Sequence, residues 1–173
     1  VLPPKTGAFF RPVTCLDFAS LYPSTMISHN LCVSSIVDDE RYLNLPELEG
    51  RYEEVIIDDK KYVYVQPKKA ENGEIIESDR GILPKILQQV LLQRKKVRAK
   101  IKTEKDPFKR NIYNGLQLSY KIVANSFYGQ LGSKVSFMSY KPIAASITSV
   151  CRDLLEIAKQ KTLEKYPKTT IVY

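Results

Sequence analysis

The 173-residue sequence predicts an α+β fold: a small antiparallel sheet packed against helices, followed by two long helices that form an antiparallel hairpin. Two β-type runs, Glu53–Ile57 and Tyr62–Val65, flank a pair of aspartates at 58–59, which predicts a two-stranded hairpin. From Gly81 onward the apolar residues recur with helical spacing, and Asp106-Pro107 interrupts that pattern. So short an interruption predicts that the two helices are antiparallel neighbours.

A first polar site is predicted near the amino terminus. The apolar segment from Val13 to Phe18 predicts a buried strand that ends at Asp17, and a helix follows at once and runs to about Asn30. Pro23 falls near the first turn of this helix, where its missing N–H does no harm. An aspartate in this setting is more often a helix cap, although its carboxylate could also bind a divalent metal ion.

The helical pattern from Gly81 to about Tyr128 predicts two helices of roughly 22 residues, each about 33 Å long by helical rise. The first carries two neighbouring apolar stripes, formed by Leu83, Leu87 and Leu91 and by Ile86, Val90, Val97 and Ile101. A third helix is predicted from about Ile143 to Tyr166, with a strand at Thr169–Tyr173. Residues 37–78 are acidic and are interpreted as a variable insertion without a catalytic role.

Basic residues are concentrated in the predicted helical hairpin. Residues 81–134 contain 12 Lys or Arg against two acids, a net charge of +10, whereas the other residues carry a net charge of −2. This concentration suits a polyanionic partner, because Lys and Arg displace counterions from phosphate backbones. A solvated, Lys-rich helical surface would give the same count, so charge alone leaves both interpretations open.

Within this segment, polar residues recur on single helical faces. Arg94 and Arg98 are four residues apart on the first helix, and Lys121, Asn125 and Tyr128 share one face of the second. Lysine offers a point charge to phosphate, and arginine offers a bidentate fork. The alternative is that these charges face solvent and that Tyr128 belongs to the core.

Composition argues against other classes of protein. No apolar run approaches the roughly 18 residues that a membrane span needs, so no membrane partner is expected. The three cysteines, Cys15, Cys32 and Cys151, form no CxxC pair, which argues against a zinc site or a disulfide framework. We expect them to be buried thiols of a protein in a reducing compartment.

Two motifs give the sequence a resemblance to family B (α-like) DNA polymerases. Asp17–Ser24 reads DFASLYPS and is similar to the family motif DxxSLYPS, and Lys121–Gly129 reads KIVANSFYG and is similar to KxxxNSxYG. Residues 81–96 resemble the first helix of the fingers. The resemblance covers nearly the whole chain apart from residues 37–78. Other residues around these motifs resemble the δ-type and large-DNA-virus branch.

The resemblance implies a domain organisation. Residues 1–80 would be the first part of a polymerase palm, 81–129 a two-helix fingers hairpin, and 130–173 the second part of the palm. The family's second catalytic carboxylate lies in a motif YGDTDS, of which Tyr173 is expected to be the first residue. We therefore expect a fragment that lacks this motif, the exonuclease and the thumb, and that is inactive alone.

The resemblance also implies a role for each motif residue. Asp17 would be catalytic and, with the Phe18 carbonyl, would bind two Mg²⁺ ions. The residues expected to bind the incoming nucleotide are Ser20, Leu21, Tyr22, Arg94, Arg98, Lys121 and Asn125. Among them, the Tyr22 ring would exclude a ribose 2′-hydroxyl. Tyr128 and Gly129 would line the nascent base pair, and His29 is expected to be structural.

The implied function is that of a DNA-directed DNA polymerase, which adds dNTPs to a primer 3′ end during replication. Its partners would be primer–template DNA, dNTPs and a sliding clamp or other processivity factor, the last through regions that this chain lacks. Its location would be intracellular, in the nucleus or at a viral replication site. A non-catalytic nucleic-acid-binding module and an inactive polymerase paralogue remain as alternatives.

Overall fold

The computed structural model describes residues 4–43 and 45–172. In this part of the chain, four α-helices and a three-stranded sheet follow one another with three short 3₁₀ turns between them. In chain order the elements are α1 (Leu21–Ser28), β1 (Ile36–Val37), β2 (Tyr52–Ile57), β3 (Lys60–Val65), α2 (Ile82–Thr103), α3 (Pro107–Gly132) and α4 (Lys141–Lys165). No described helix has the length and apolar character needed to cross a membrane.

The predicted β-hairpin is confirmed. Strands β2 and β3 pair antiparallel, β1 pairs antiparallel with the other edge of β3, and the order is β1-β3-β2. Asp58 and Asp59 connect β2 to β3 with φ angles of 46° and 62°. Two successive positive φ angles are what a tight hairpin turn requires, and aspartate tolerates them better than most residues.

The sheet packs against α4 through a buried tyrosine. Tyr64 on β3 is fully buried, and its hydroxyl donates a hydrogen bond of 2.8 Å to Ser146 Oγ on α4. Ser146 in turn donates to the Pro142 carbonyl at 2.9 Å. Burial raises the pKa of Tyr64 to about 12. Residues 37–78 therefore contribute to the core as well as to the surface.

Helices α2 and α3 form the predicted antiparallel hairpin. Asp106 closes the turn between them, since its carboxylate accepts a hydrogen bond of 2.9 Å from the Phe108 amide and Pro107 opens α3. Polar side chains are among the contacts between the helices: Arg94 Nε lies 3.4 Å from Gln117 Oε1, and Lys100 Nζ lies 5.9 Å from the centroid of the Tyr113 ring.

The beginning of α2 is fixed against α1 by hydrogen bonds from side chains. Asn30 is buried; its side-chain amide donates to the Val65 carbonyl, and its oxygen accepts from the Gly81 amide, both at 2.8 Å. A Cβ on Gly81 would lie 2.8 Å from Cys32 Cβ, so any larger residue there would force one of the two to shift. Arg80 donates to a main-chain carbonyl of α1 at 2.7 Å. These contacts fix the position of the first turn of α2 relative to α1 and β3.

The prediction of a buried strand at Val13–Phe18 was wrong. These residues form no strand and are exposed, Val13 to 63% and Leu16 to 79%. A strand needs a neighbour that pairs with its N–H and C=O groups. Between residues 4 and 18, the described part of the chain supplies a single backbone hydrogen bond, from the Lys5 amide to the Val172 carbonyl at 2.9 Å.

Two smaller expectations also need correction. Residues 169–172 form no strand, and Tyr173 lies outside the described residues. Cys15 is exposed because it lies in the unpaired amino-terminal segment, whereas Cys32 and Cys151 are buried as predicted. The predicted third helix is confirmed as α4, which ends just before Tyr166.

Candidate active site

A cavity of about 570 Å³ lies where the beginning of α1 meets α2 and α3. Its lining combines a carboxylate, three cations, an amide and two phenol rings. The residues that line it are Asp17, Phe18, Ala19, Ser20, Leu21, Tyr22, Arg94, Arg98, Lys121, Asn125 and Tyr128. Of the residues singled out from the sequence for metal, nucleotide or base-pair contacts, only Gly129 does not line the cavity.

One end of the cavity is formed by an unusual start to α1. Ser20, at the N-cap, has φ 54° and ψ 55°, a left-handed conformation that is uncommon for a residue other than glycine. Its side chain makes no capping hydrogen bond; instead its Oγ accepts a long hydrogen bond of 3.3 Å from Arg94 Nη1. The first amides of a helix, from Leu21 onward here, have no partner within the helix and favour anions.

The cavity is electrostatically positive. Arg94, Arg98 and Lys121 line it together with one acid, Asp17. In the part of the chain that the structure describes, none of these three cations belongs to an ion pair. Three cations against one acid in a single cleft attract anions, so the lining favours a polyanionic ligand.

The sequence analysis did not single out Gln117, which contacts Arg94 across the helical hairpin. Gln117 lies four residues before Lys121, on the same face of α3, so the signal was available in the spacing. By accepting from Nε it restrains the Arg94 side chain, whose Nη1 bonds Ser20. A polar residue therefore positions one of the cations that line the cavity.

Two aromatic residues from different motifs pack together in the cavity. The rings of Tyr22 and Tyr128 have centroids 4.4 Å apart and planes inclined at 31°. Burial, and secondarily the neighbouring Tyr22, raise the pKa of Tyr128, so this phenol is neutral at physiological pH. Tyr128 packs against the core and also lines the cavity, so it combines the two interpretations that its sequence position allowed.

His29 lies outside the cavity. Its ring is hydrogen bonded to the Glu53 carboxylate, and its carbonyl accepts a hydrogen bond of 2.8 Å from Gln66 Nε2. These contacts connect the end of α1 to the β-hairpin and its continuation. They agree with the structural role expected for this residue.

The oxygen ligands in the cavity fit a divalent metal ion in kind but not in number. Asp17 is exposed and offers a carboxylate, and Phe18 also lines the cavity. Hard oxygens of this type suit Mg²⁺, which usually keeps waters and substrate oxygens as further ligands. Among the described residues there is no group of three or more His, Cys, Asp or Glu that could hold a metal alone.

Comparison with known proteins identifies the family. The family model described as DNA polymerase family B matches residues 1–171. The chain belongs to DNA polymerase family B. It is 36% identical over 166 residues to the DNA polymerase delta catalytic subunit of Dictyostelium discoideum. It is 38% identical over 176 residues to the DNA polymerase of Paramecium bursaria Chlorella virus NY2A. The chain is thus similar to both δ-type and viral DNA polymerases, as the resemblance of its motifs predicted.

This family B chain spans less than a fifth of the length of those relatives. The matches cover 96% and 100% of the chain but 14% and 18% of the respective relatives. A solved structure, the family B DNA polymerase of the archaeon Pyrobaculum calidifontis, matches 84% of the chain with a TM-score of 0.63 at 22% identity. That similarity concerns the fold alone, and it agrees with the predicted α+β class.

Proposed function

We propose that this chain supplies the nucleotide-binding part of a DNA-directed DNA polymerase, which adds dNTPs to a primer 3′ end by two-metal phosphoryl transfer during DNA replication. The observation that carries the proposal is the shared cavity, which is lined by the Asp17 carboxylate, by three cations that belong to no ion pair of the described chain, and by the contacting rings of Tyr22 and Tyr128. The relatives described as DNA polymerases support it.

In this proposal the triphosphate binds between the beginning of α1 and the helical hairpin. Arg94, Arg98 and Lys121 neutralise its charge by charge-assisted hydrogen bonds, and Asn125 adds a neutral donor. The amides of Ser20 and Leu21 hold phosphate oxygens at the positive end of α1. Such binding positions the α-phosphorus, and positioning with charge neutralisation is the protein's main contribution to phosphoryl transfer.

The proposed cofactor is a pair of Mg²⁺ ions, for which the Asp17 carboxylate and the Phe18 carbonyl are the ligands in this chain. When bound, these ions would activate the primer hydroxyl and stabilise charge on the leaving pyrophosphate. Among the described residues, Asp17 is the one acid that lines the cavity, and a two-metal site requires a second carboxylate. The chain by itself is therefore expected to have no polymerase activity.

The two contacting tyrosines are proposed to bind different parts of the substrate. The ring of Tyr22 would lie under the sugar and exclude a 2′-hydroxyl, whereas Tyr128, with Gly129, would line the nascent base pair. Their contact at 4.4 Å supports this assignment, because it joins the sugar-selecting and base-selecting groups into one surface. Either ring would then be held in place partly by the other.

We also propose the wider context. Residues 1–80 and 130–173 would belong to the palm and residues 81–129 to the fingers, with primer–template DNA bound near the basic hairpin. A sliding clamp or another processivity factor would bind elsewhere in the polymerase. The δ-type and viral relatives support replication in a nucleus or at a viral replication site.

The test of this function is the substitution Asp17→Asn in a polymerase polypeptide that contains the chain. It removes one negative charge from the proposed metal ligand while keeping the size of the side chain. We expect primer extension to fall by at least about a thousandfold, roughly 4 kcal/mol of barrier, with DNA affinity almost unchanged. Steady-state extension and DNA-binding titrations measure the two quantities.

Asp153→Asn is the matched control, because Asp153 is an exposed aspartate on α4 that does not line the cavity. It makes the same chemical change and should leave primer extension at the wild-type rate. Extension by the Asp17 variant within about tenfold of wild type, only about 1.4 kcal/mol, would rule out a role as metal ligand.

A further inference from the structure

The cations that line the cavity belong to longer polar stripes along both helices of the hairpin. On α2, Lys102 follows Arg94 and Arg98 at the next four-residue step, so the three lie along one face. On α3, Lys121 is preceded on its own face by Gln117, Asn114 and Arg110. Both stripes continue from the cavity toward the turn of the hairpin.

The register of the hairpin brings the outer ends of these stripes to the same level. In an antiparallel pair, each step forward on α2 matches a step back on α3. The contact between Arg94 and Gln117 thus places Lys102 level with residue 109. The contact between Lys100 and the ring of Tyr113 places Lys102 level with residue 111. Arg110 lies between these two positions.

No acid neutralises these two cations within the described residues. Lys102 and Arg110 are exposed and take part in none of the ion pairs of the described chain. The two nearby carboxylates bind main-chain amides instead: Glu104 accepts from residues 105 and 106 at 3.0 and 3.1 Å, and Asp106 caps α3. Like charges on neighbouring helices repel each other, so an anion bound between them would relieve that repulsion.

We propose that Lys102 of α2, one helical turn beyond Arg98, and Arg110 at the same level of α3 form an outer polyphosphate subsite outside the cavity. This inference rests on the proposed function. The helical rise puts Lys102 about 6 Å along the axis from Arg98, so a triphosphate or pyrophosphate can contact both residues at once. The subsite therefore receives the phosphates of an arriving nucleotide or of the departing pyrophosphate.

The first experiment measures binding of inorganic tripolyphosphate to the chain by calorimetry, at fixed ionic strength. The variant Lys102→Ala/Arg110→Ala should bind about tenfold more weakly than wild type, since each residue supplies a charge-assisted hydrogen bond. The control Lys96→Ala/Lys109→Ala loses the same two charges from exposed positions on other faces of the helices. It should change affinity less than about twofold, as expected for screened surface charges.

Equal losses in the two double variants would overturn the subsite, because they would show only a general effect of net charge. Lys121→Ala separates this failure from that of the proposed function. If Lys121→Ala weakens tripolyphosphate binding and Lys102→Ala/Arg110→Ala does not, the subsite is wrong and the nucleotide site stands. If neither change matters, both proposals are wrong.

Kinetics of the polymerase that contains the chain then distinguish the two sources of phosphate. A higher KM for dNTP in Lys102→Ala/Arg110→Ala, at unchanged kcat, would assign the subsite to the arriving nucleotide. Weaker product inhibition by pyrophosphate, at unchanged KM, would assign it to the departing product. No change in either quantity relative to Lys96→Ala/Lys109→Ala would contradict a role in the reaction.

Discussion

At the scale of single residues, the contact between Tyr22 and Tyr128 carries the most information about specificity. The rings come from motifs a little over a hundred residues apart and meet at a centroid distance of 4.4 Å within the cavity. A tilted aromatic contact of this kind holds both rings in position. A sugar placed against Tyr22 would therefore meet a surface that yields little, which is what exclusion of a hydroxyl group by bulk requires.

The substitution Tyr22→Phe should preserve the preference for dNTP over rNTP, because the ring and its contact with Tyr128 remain. Tyr22→Ala and Tyr22→Val should raise incorporation of rNTP at least about tenfold relative to dNTP, since opening space for one hydroxyl is worth a kcal/mol or more. The measurement is the ratio of kcat/KM for a dNTP and its matching rNTP. An unchanged ratio in active Ala and Val variants would show that Tyr22 does not select the sugar.

At the scale of secondary-structure elements, the placement of α2 decides whether Arg94 and Arg98 reach the cavity. That placement depends on Asn30 and Gly81, which join the beginning of α2 to the chain after α1. Because Arg94 lies more than three turns into α2, a small change of angle at Gly81 is magnified at the cavity. The junction is thus a structural requirement for the site, although it touches no ligand.

Gly81→Ala should destabilise the chain by about 1–3 kcal/mol, because its Cβ would lie 2.8 Å from Cys32 Cβ and one of the two must move. Gly115→Ala on α3 is the control: a Cβ there meets nothing within 4 Å, and alanine favours helix by up to about 1 kcal/mol. Urea unfolding measures both. Equal stability of the two variants would show that the close approach at Gly81 is not needed.

Tyr64 should make the contact between the sheet and α4 sensitive to alkaline pH. Its pKa of about 12 in the folded chain exceeds the ordinary value of 10.0, so the folded state holds the phenol proton more tightly. The stabilisation that the protonated Tyr64 phenol gives the folded state is therefore complete below about pH 10. About 3 kcal/mol of it is lost as the pH rises toward 12. The free energy of unfolding should fall over this range in wild type.

Tyr64→Phe removes the titrating group, and with it the hydrogen bond to Ser146, which costs about 1 kcal/mol at neutral pH. The variant should lose less stability than wild type between pH 10 and 12. Parallel pH profiles for the two proteins would mean that Tyr64 does not hold its proton more tightly on folding.

The helices were predictable from the sequence, whereas the strand predicted at Val13–Phe18 does not form. The difference has a physical reason. The helical periodicity of α2 and α4, with Pro107 and Pro167 as boundaries, reflects local backbone hydrogen bonds and one buried face. The alternation at Val13–Phe18 indicates only that the segment could pair. Whether it does depends on a neighbour, which the described chain does not provide.

At the scale of the whole molecule, the charge is divided between two hairpins. The acidic residues are concentrated in and around the β-hairpin, and the basic ones along α2 and α3. No ion pair of the described chain involves a cation of α2 or α3, so the helical hairpin keeps its positive charge. That charge is the property of the molecule most directly suited to a polyanionic substrate.

The residues that line the cavity were predictable from the sequence, whereas the contacts among them were not. Spacing placed Arg94 and Lys121 on helix faces, and motif similarity named Asp17 and Tyr22. The left-handed conformation of Ser20, and with it the hydrogen bond from Arg94, could not be predicted, because it depends on how two distant segments meet. Local pattern determines which residues face a site, whereas tertiary packing determines which of them touch.

The measurement that most directly distinguishes a polymerase from a nucleic-acid-binding module compares wild type with Lys121→Ala. Both KM for dNTP and DNA affinity are determined for each protein. Lys121 lines the same cavity as Asp17, carries the opposite charge, and belongs to no ion pair of the described chain. Loss of its contact with a triphosphate should raise KM for dNTP by about 10- to 100-fold. DNA affinity should change less than about threefold, because the other basic residues of the hairpin remain. A loss of DNA affinity with an unchanged KM for dNTP would contradict the nucleotide site and favour the binding module.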